Sequence, residues 1–160
     1  MRTQSCTALL LSLLALAACT REGAAPTAST ATANQANASA TSTVGGVTLQ
    51  TSTVAIKDLN AAIAGRYGID RGREGVLLLI TVRDASGNGI DPGDLQLQAT
   101  AGSLTEVAEP LPLRAITTDG MTDYIGAFQT AAPATVQFRL TATRGGSRAD
   151  IATTAELYPR

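Results

Sequence analysis

Apolar and polar side chains alternate along much of the chain after residue 47, which is the pattern of a strand with one buried face. Leu95, Leu97 and Ala99, for example, alternate with Gln96 and Gln98. Because successive side chains of a β-strand point to opposite faces, this period of two places the apolar residues on a core. Segment 76–82 is almost continuously apolar. It therefore predicts a central strand that is buried on both faces.

Turn residues interrupt the chain about every ten residues, and the segments between them are typical of strands. We expect segment 104–107 to pair with the strand at 95–100. The segments predicted as strands are 47–53, 76–82, 95–100, 104–107, 113–117, 124–129, 136–143 and 150–157.

A short helix is predicted near residues 58–66, where Leu59 and Ile63 lie among alanines. Asp58 is the expected N-cap, and Gly65 or Gly68 can end the helix in a left-handed conformation. No crossover helix separates the predicted strands, so they favour an antiparallel arrangement over a parallel sheet. The fold class that follows is all-β, an immunoglobulin-like antiparallel β-sandwich of about seven strands with one short helix.

The first 18 residues have the organisation of a secretory signal, with Arg2 ahead of an apolar segment at 8–16. That segment is shorter than the roughly 20 residues that a transmembrane helix needs. It ends in Leu16-Ala17-Ala18-Cys19, which resembles the lipobox of a bacterial lipoprotein signal peptide. The alternative is an ordinary signal peptide, cleaved at an Ala-x-Ala-like site, in which Cys19 has no role.

The lipobox resemblance implies that Cys19 becomes the lipidated first residue of the mature chain. Two or three acyl chains, palmitate among them, would anchor the protein to a membrane without a spanning segment. Residue Thr20 follows the cysteine, where an aspartate would mark inner-membrane retention in enteric bacteria. The resemblance thus implies a cell-envelope protein, anchored in the outer membrane and facing the periplasm.

Composition divides the rest of the chain into a linker and one domain. Residues 19–46 are rich in Ala, Thr, Ser and Asn and contain no aromatic residue, which predicts a disordered linker after the lipidated cysteine. Residues 47–160 then form the β-sandwich domain. Because Cys6 lies in the signal peptide and Cys19 carries the lipid, no disulfide is expected in the mature chain.

Three segments resemble an uncharacterised family of small periplasmic proteins and lipoproteins from Gram-negative bacteria, known only as a domain of unknown function. The first is residues 66–80, from Arg66-Tyr67-Gly68-Ile69-Asp70 to the apolar strand. The second joins Arg114-Ala115-Ile116 to residues 123–128, and the third is the apolar strand at 136–140. The resemblance covers about residues 54–158. It implies a sandwich-like fold and a periplasmic location, and it implies no activity.

The absence of histidine from the sequence excludes Ser-His-Asp and Cys-His catalysis and imidazole metal ligands. With no thiol in the mature chain, zinc, haem and iron–sulfur sites lose their usual ligands. We therefore predict no catalytic residues and no cofactor. A formal net charge of −1 with a single lysine also argues against nucleic acid as a partner.

A calcium loop is the one metal site that the sequence leaves open. Asp84, Ser86 and Asn88 occupy the first, third and fifth positions of such a loop, and Asp91 or Asp94 could add oxygens. The twelfth position, which needs a bidentate glutamate, is a leucine. We favour a hairpin connection built from turn-forming residues, with no metal.

Most other polar and aromatic features have a structural interpretation. The loop from Arg66 to Glu74 mixes both charge signs and is predicted to be salt-bridged. An alternative is that it recognises an acidic partner. The aromatic residues predicted to pack in the core are Tyr67, Tyr124, Phe128 and Phe138.

The function predicted from these observations is that of an outer-membrane-anchored periplasmic lipoprotein with a non-enzymatic binding or scaffolding module. Its partner would be another envelope protein, held at a sheet edge such as 113–117 or the last strand. The alternative is a periplasmic calcium-binding or small-ligand module that uses the Asp84–Asp94 loop. A hydrolase built on carboxylates or hydroxyl groups is a third, weaker hypothesis, which needs two close acids in a cleft.

Overall fold

The structure, a computed structural model, describes residues 38–159 and is a sandwich of two antiparallel sheets with one short α-helix. Strands and helices follow closely on one another along the chain. In order they are β1 (Ser39–Val44), β2 (Val47–Ala55), a 3₁₀ turn (Ile56–Asp58), α1 (Ala61–Tyr67), β3 (Gly75–Arg83), β4 (Gln96–Ser103), β5 (Glu109–Leu111), β6 (Arg114–Thr118), β7 (Met121–Gln129), β8 (Ala134–Arg144) and β9 (Ser147–Leu157).

One sheet has the strand order β1-β2-β3-β7-β6 and the other has β5-β4-β8-β9. Without β1, these orders are the A-B-E-D and C′-C-F-G sheets of an immunoglobulin domain. β1 is an additional edge strand beside the first. The predicted fold class, an immunoglobulin-like antiparallel sandwich, is confirmed.

The core lies between the two sheets and is formed by the alternating apolar residues that the sequence shows. Phe138 of β8 is its largest fully buried side chain and is 1% exposed. Leu49, Leu78, Ile80 and Leu140 pack in the same cluster. Since Ala99 of β4 pairs with Leu140 of β8, the amphipathic segment beginning at 95 has the register that its alternation predicts.

The predicted central strand, β3, is buried on its inner face and partly buried on its outer face, which the 3₁₀ turn and α1 cover in part. A second apolar cluster forms there from Ile56, Leu59, Ala64, Leu77 and Ile125. The inner face of β3 faces the main core. The apolar run at 76–82 thus has a separate packing partner on each side of the sheet.

Both ends of α1 are fixed by local hydrogen bonds. Asn60 is the N-cap, and its Oδ1 accepts a hydrogen bond from the amide of Ala62 at 2.8 Å. At the other end Gly68 has φ of 62°, and the amide of Ile69 donates to the carbonyl of Ala64 at 2.8 Å. This is a Schellman motif, and it turns Ile69 back onto the apolar cluster beneath the helix.

The sandwich is closed on one side by two buried threonines from opposite sheets. Thr51 of β2 and Thr153 of β9 place their Oγ1 atoms 2.6 Å apart, although they are 102 residues apart in sequence. Thr51 Oγ1 also donates to the carbonyl of Ala40 in β1, at 3.2 Å. A hydroxyl has a single proton, so Thr153 must be the donor to Thr51. This hydrogen-bonded chain links β1, β2 and β9.

The structure corrects several sequence-based boundaries. Nine strands are present in residues 38–159, where about seven were expected. Strand β1 occupies Ser39–Val44, which was assigned to the linker at 19–46; its Ser and Thr side chains gave no apolar alternation. Segment 104–107 is a turn, and the strand that pairs with β4 there is β5. The N-cap prediction of Asp58 is wrong, because that residue ends the 3₁₀ turn and Asn60 caps the helix.

The signal peptide, Cys19 and the linker before residue 38 lie outside the described residues. Within the part of the chain that is described, no helix has both the length and the apolar character needed to cross a membrane.

Replacement of Thr51 with valine should destabilise the domain more than replacement of Thr153. In Thr51→Val the buried Thr153 hydroxyl loses its acceptor and the Ala40 carbonyl loses one donor, which should cost about 1–3 kcal/mol of unfolding free energy. Thr153→Val leaves the Thr51 to Ala40 bond in place. Urea unfolding of both variants and of the double variant should show a double loss smaller than the sum. Thr154→Val, at an exposed position of β9, is the control.

Candidate functional site

Asp84, the first residue of the predicted calcium loop, uses its carboxylate to hold the loop itself. Its Oδ1 accepts hydrogen bonds from the amides of Ser86 at 2.8 Å and Asn88 at 2.9 Å. The side-chain amide of Asn88 donates to Oδ2 at 3.2 Å. These donors lower the pKa of Asp84, and the bonds to Asn88 contribute most. The geometry is that of a turn closed by an aspartate.

The other acidic residues of this loop face different partners. Asp91 Oδ1 accepts from the amide of Gly93 at 2.9 Å. Asp94 accepts from the amide of Gly145 at 3.0 Å and lies 3.4 Å from Arg144 Nε. Within residues 38–159, no three Asp, Glu, His or Cys residues are grouped so that they could hold a metal ion. Asp84 and Asn88 are thus in contact, whereas Asp91 and Asp94 bond to other parts of the chain.

The loop between α1 and β3 is salt-bridged, as its mixed charges predict. Lys57 Nζ pairs with a carboxylate oxygen of Glu74, and Arg73 Nε lies 3.8 Å from Asp70. Arg71 donates to the carbonyl of Lys57 at 3.2 Å. The hydrogen bond from Lys57, together with its positive charge, lowers the pKa of Glu74. Glu74 is thereby held at the start of β3.

A small cleft of about 130 Å³ opens beside this ion pair, between the start of β3 and the end of β9. Lys57 and Glu74 form one wall. Tyr158, 45% exposed, lies on another and donates a hydrogen bond to Glu156. That bond raises the pKa of the Tyr158 hydroxyl. Tyr158 is an exposed aromatic residue that sequence reasoning did not single out.

The predicted edge segment 113–117 corresponds to β6, which is an edge strand of the five-stranded sheet and pairs only with β7. Arg114, Ala115 and Thr117 of β6 are exposed. The facing edge of the second sheet is β5, only three residues long. The side of the sandwich at β5 and β6 is therefore open, in contrast to the side closed by the threonines.

The last strand, β9, is also at a sheet edge, but β1 of the other sheet lies against it. Of the two edges that the sequence suggested for a partner, β6 is thus the more accessible.

A groove of about 470 Å³ lies next to β6, between the loop after α1 and the end of β7. We call it the edge groove. Its floor is apolar and its rim carries Asp70, Arg73 and Arg114. The full lining is Ile56, Gly68, Ile69, Asp70, Arg73, Leu77, Pro112, Arg114, Ile125, Gly126, Ala127 and Gln129.

The position of Arg114 is set by α1. Its guanidinium donates to the carbonyl of Tyr67, the last residue of the helix. A cation at this end of a helix stabilises the carbonyls that have no partner within the helix. Arg114 therefore joins β6 to the outer layer and delimits the edge groove.

The aromatic residues predicted for the core have that role. Phe138 is fully buried, while Tyr124 and Phe128 pack against the same cluster and are partly buried. Tyr67 packs against the cluster beneath α1. Burial raises the pKa of the Tyr124 hydroxyl, and the charge of Asp91 adds to this effect.

Comparison with known families identifies the fold but no activity. The profile of the DUF4426 family, a domain of unknown function, matches residues 41–160. A comparison with curated protein sequences gives no match.

Solved structures similar to the chain have low sequence identity. A DUF4426 family protein from Pseudomonas aeruginosa PAO1, PA0388, has a TM-score of 0.59 at 15% identity, covering 76% of this chain and 96% of that one. FetP of uropathogenic Escherichia coli strain F11, recombinantly expressed in the periplasm of E. coli BL21(DE3), has a TM-score of 0.50 at 10% identity, covering 78% and 96%. A copper-bound variant of FetP has a TM-score of 0.51 at 10% identity, covering 78% and 97%. At these identities the likeness is one of fold.

Replacement of Asp84 with alanine should destabilise the domain at neutral pH and have little effect in acid. A carboxylate whose pKa is lowered by folding contributes stability above its ordinary value of 3.8, and that contribution is lost as the pH falls through the lower folded value. The difference in urea midpoint between the wild-type and Asp84→Ala proteins should therefore shrink below about pH 4. Glu109→Gln, at an exposed position of β5, is the control. A difference that stays constant with pH would show that the charge of Asp84 is not involved.

Proposed function

The chain belongs to the DUF4426 family, whose function is unknown, and from that premise we propose that it is an outer-membrane-anchored periplasmic lipoprotein with a non-enzymatic binding module. Its immunoglobulin-like domain binds an extended segment of another envelope protein. The observation that carries this proposal is the open edge at β6, beside the edge groove.

An edge strand can bind a partner because it presents a row of backbone donors and acceptors that no strand satisfies. β6 pairs with β7 on one side only. Because β5 is short, much of the inner face of β6 is exposed. Natural edges are often protected by proline or by inward-pointing charges. β6 has neither of these within Arg114–Thr118, since Ala115 and Thr117 are the residues on its inner face.

The lipid anchor is supported by the lipobox at residues 16–19 and by the composition of the segment that follows it. Anchoring confines the domain to a layer near the membrane. A linker with the composition of 20–37 would let it reach partners within several nanometres of that surface. A tethered domain meets its partner at a raised effective concentration, so modest affinity at a single strand edge suffices.

We propose no copper site for this chain, although a FetP variant binds copper. The sequence has no histidine, and the acidic residues of 38–159 form no group suited to a metal. FetP was recombinantly expressed in the periplasm, so a domain of this fold can form in that compartment.

Lipidation should depend on the thiol of Cys19. Cells expressing the full chain and fed with radiolabelled palmitate should give a labelled band, and that band should be absent for Cys19→Ser. Cys6→Ser, in the leader, is the matched control and should keep its label. A mature chain that begins at another residue and carries no acyl group would contradict the anchor.

A photocrosslinking amino acid at position Thr117 of β6 should trap a discrete partner in intact cells. The same amino acid at Gln98, an exposed position on the outer face of the internal strand β4, is the matched control and should give no such adduct. Equal adduct patterns at both positions, or none at position 117, would contradict binding at the β6 edge.

A further inference from the structure

The edge groove contains a strand edge of its own, because β6 covers only part of β7. The last pair between the two strands is Arg114 with Ile125. Beyond it, the β7 residues from Gly126 to Gln129 pair with β3 alone. Residue Pro112 has no amide hydrogen and stands where the chain crosses to the other sheet, so the ladder to β7 does not continue. The groove thus lies along four residues of β7 that pair on one side only.

The floor of the edge groove suits an apolar side chain. Ile56, Leu77 and Ile125 lie beneath it in the cluster under α1, and each is at most 4% exposed. The apolar surface that a partner can reach therefore comes from Ile69, Pro112 and Ala127. On β7, the small side chain of exposed Ala127 lets another backbone approach. The space over Gly126, in contrast, is filled by Leu111 and Leu113.

The rim of the edge groove carries a surplus of positive charge. Two arginines, Arg73 and Arg114, stand against a single acid, Asp70, so the rim has a net charge of +1 from these groups. The distance from Arg73 to Asp70 is 3.8 Å, and their side chains are 61% and 70% exposed. An ion pair of this kind contributes little to stability. The guanidinium of Arg73 can therefore turn to a carboxylate of a bound partner, with which arginine can form two parallel hydrogen bonds.

We propose that the edge groove selects the partner: it binds an extended segment in which an apolar residue and an acidic residue are two positions apart. This inference rests on the proposed function. In an extended segment, side chains two positions apart point to the same side and are about 6–7 Å apart. The apolar side chain then lies over Ile69 and Ala127, and the acid reaches Arg73 and Arg114 at the rim. Backbone hydrogen bonds to β7 supply a sequence-independent part of the affinity.

Synthetic peptides test this selection directly. The acidic probe is a fluorescent peptide containing Thr-Val-Thr-Glu-Thr, and its matched control has glutamine in place of glutamate. Binding to the full chain, purified in detergent, is measured by anisotropy. The acidic peptide should bind at least about fivefold more tightly than the amide peptide, as expected of a partly exposed ion pair. That preference should decrease with rising salt.

Charge reversal at the rim of the edge groove provides a second test of the same selection. In Arg73→Glu the preference should reverse, so that a Thr-Val-Thr-Lys-Thr peptide binds better than the acidic one. Arg139→Glu makes the same change at an exposed position of β8 and should leave the preference for acid intact. Arg73 is exposed and its ion pair is long, so this substitution is not expected to unfold the domain.

The outcomes separate this inference from the proposed function. Equal binding of the acidic and amide peptides, or an unchanged preference in Arg73→Glu, would overturn recognition of an acidic residue by the edge groove. Strand addition at β6 would still stand. Failure of both peptides to bind would overturn the groove as the selecting site even if the crosslink at position 117 forms. A crosslinked product of twice the mass of the chain would overturn it as well, because the occupant would be a second copy.

Discussion

The two sheets meet across an apolar interface that no disulfide bond crosses, since both cysteines of the chain precede residue 38. Antibody domains place a disulfide between the strands that correspond to β3 and β8. Here, Leu78 and Ile80 of β3 share a cluster with Phe138 and Leu140 of β8. The inward positions of the central strands β3 and β8 are therefore committed to packing. Groups that bind a partner must lie on the outer faces, in the loops or at the edges.

The edges differ because of what closes each side of the sandwich. At β1 and β9, Thr51 and Thr153 join the sheets through buried hydroxyl groups. At β5 and β6 the chain crosses between the sheets through Pro112, after a strand of only three residues. A short β5 cannot cover β6, and a proline cannot extend the ladder along β7. The open edge and the edge groove thus have the same origin in this crossover.

How much could be predicted from the sequence depended on whether a residue's surroundings were local. Strands β3, β4 and β8 follow from their apolar patterns. β1 was missed because its Ser and Thr residues pair with β2 without an apolar alternation, and segment 104–107 was wrong because Leu104 and Val107 are exposed in a turn. The β6 edge was anticipated from its segment. The edge groove was not predicted, since its lining residues at positions 56, 68–70, 73, 77, 112, 114, 125–127 and 129 meet only through the topology.

An immunoglobulin-like sandwich does not specify a ligand, and domains with this fold place their binding sites in different loops and edges. In this chain, the outer face of β3 and β7 is covered by α1 and the loop after it, an addition to the plain sandwich. That addition positions Ile69 through its Schellman motif and Arg114 through the carbonyl of Tyr67. The helix therefore covers part of the second face of β3, and the loop after it, with Gly68, Ile69 and Arg73, forms one wall of the edge groove. Partner choice would then depend on the loop that carries Arg73, which can change without disturbing the core.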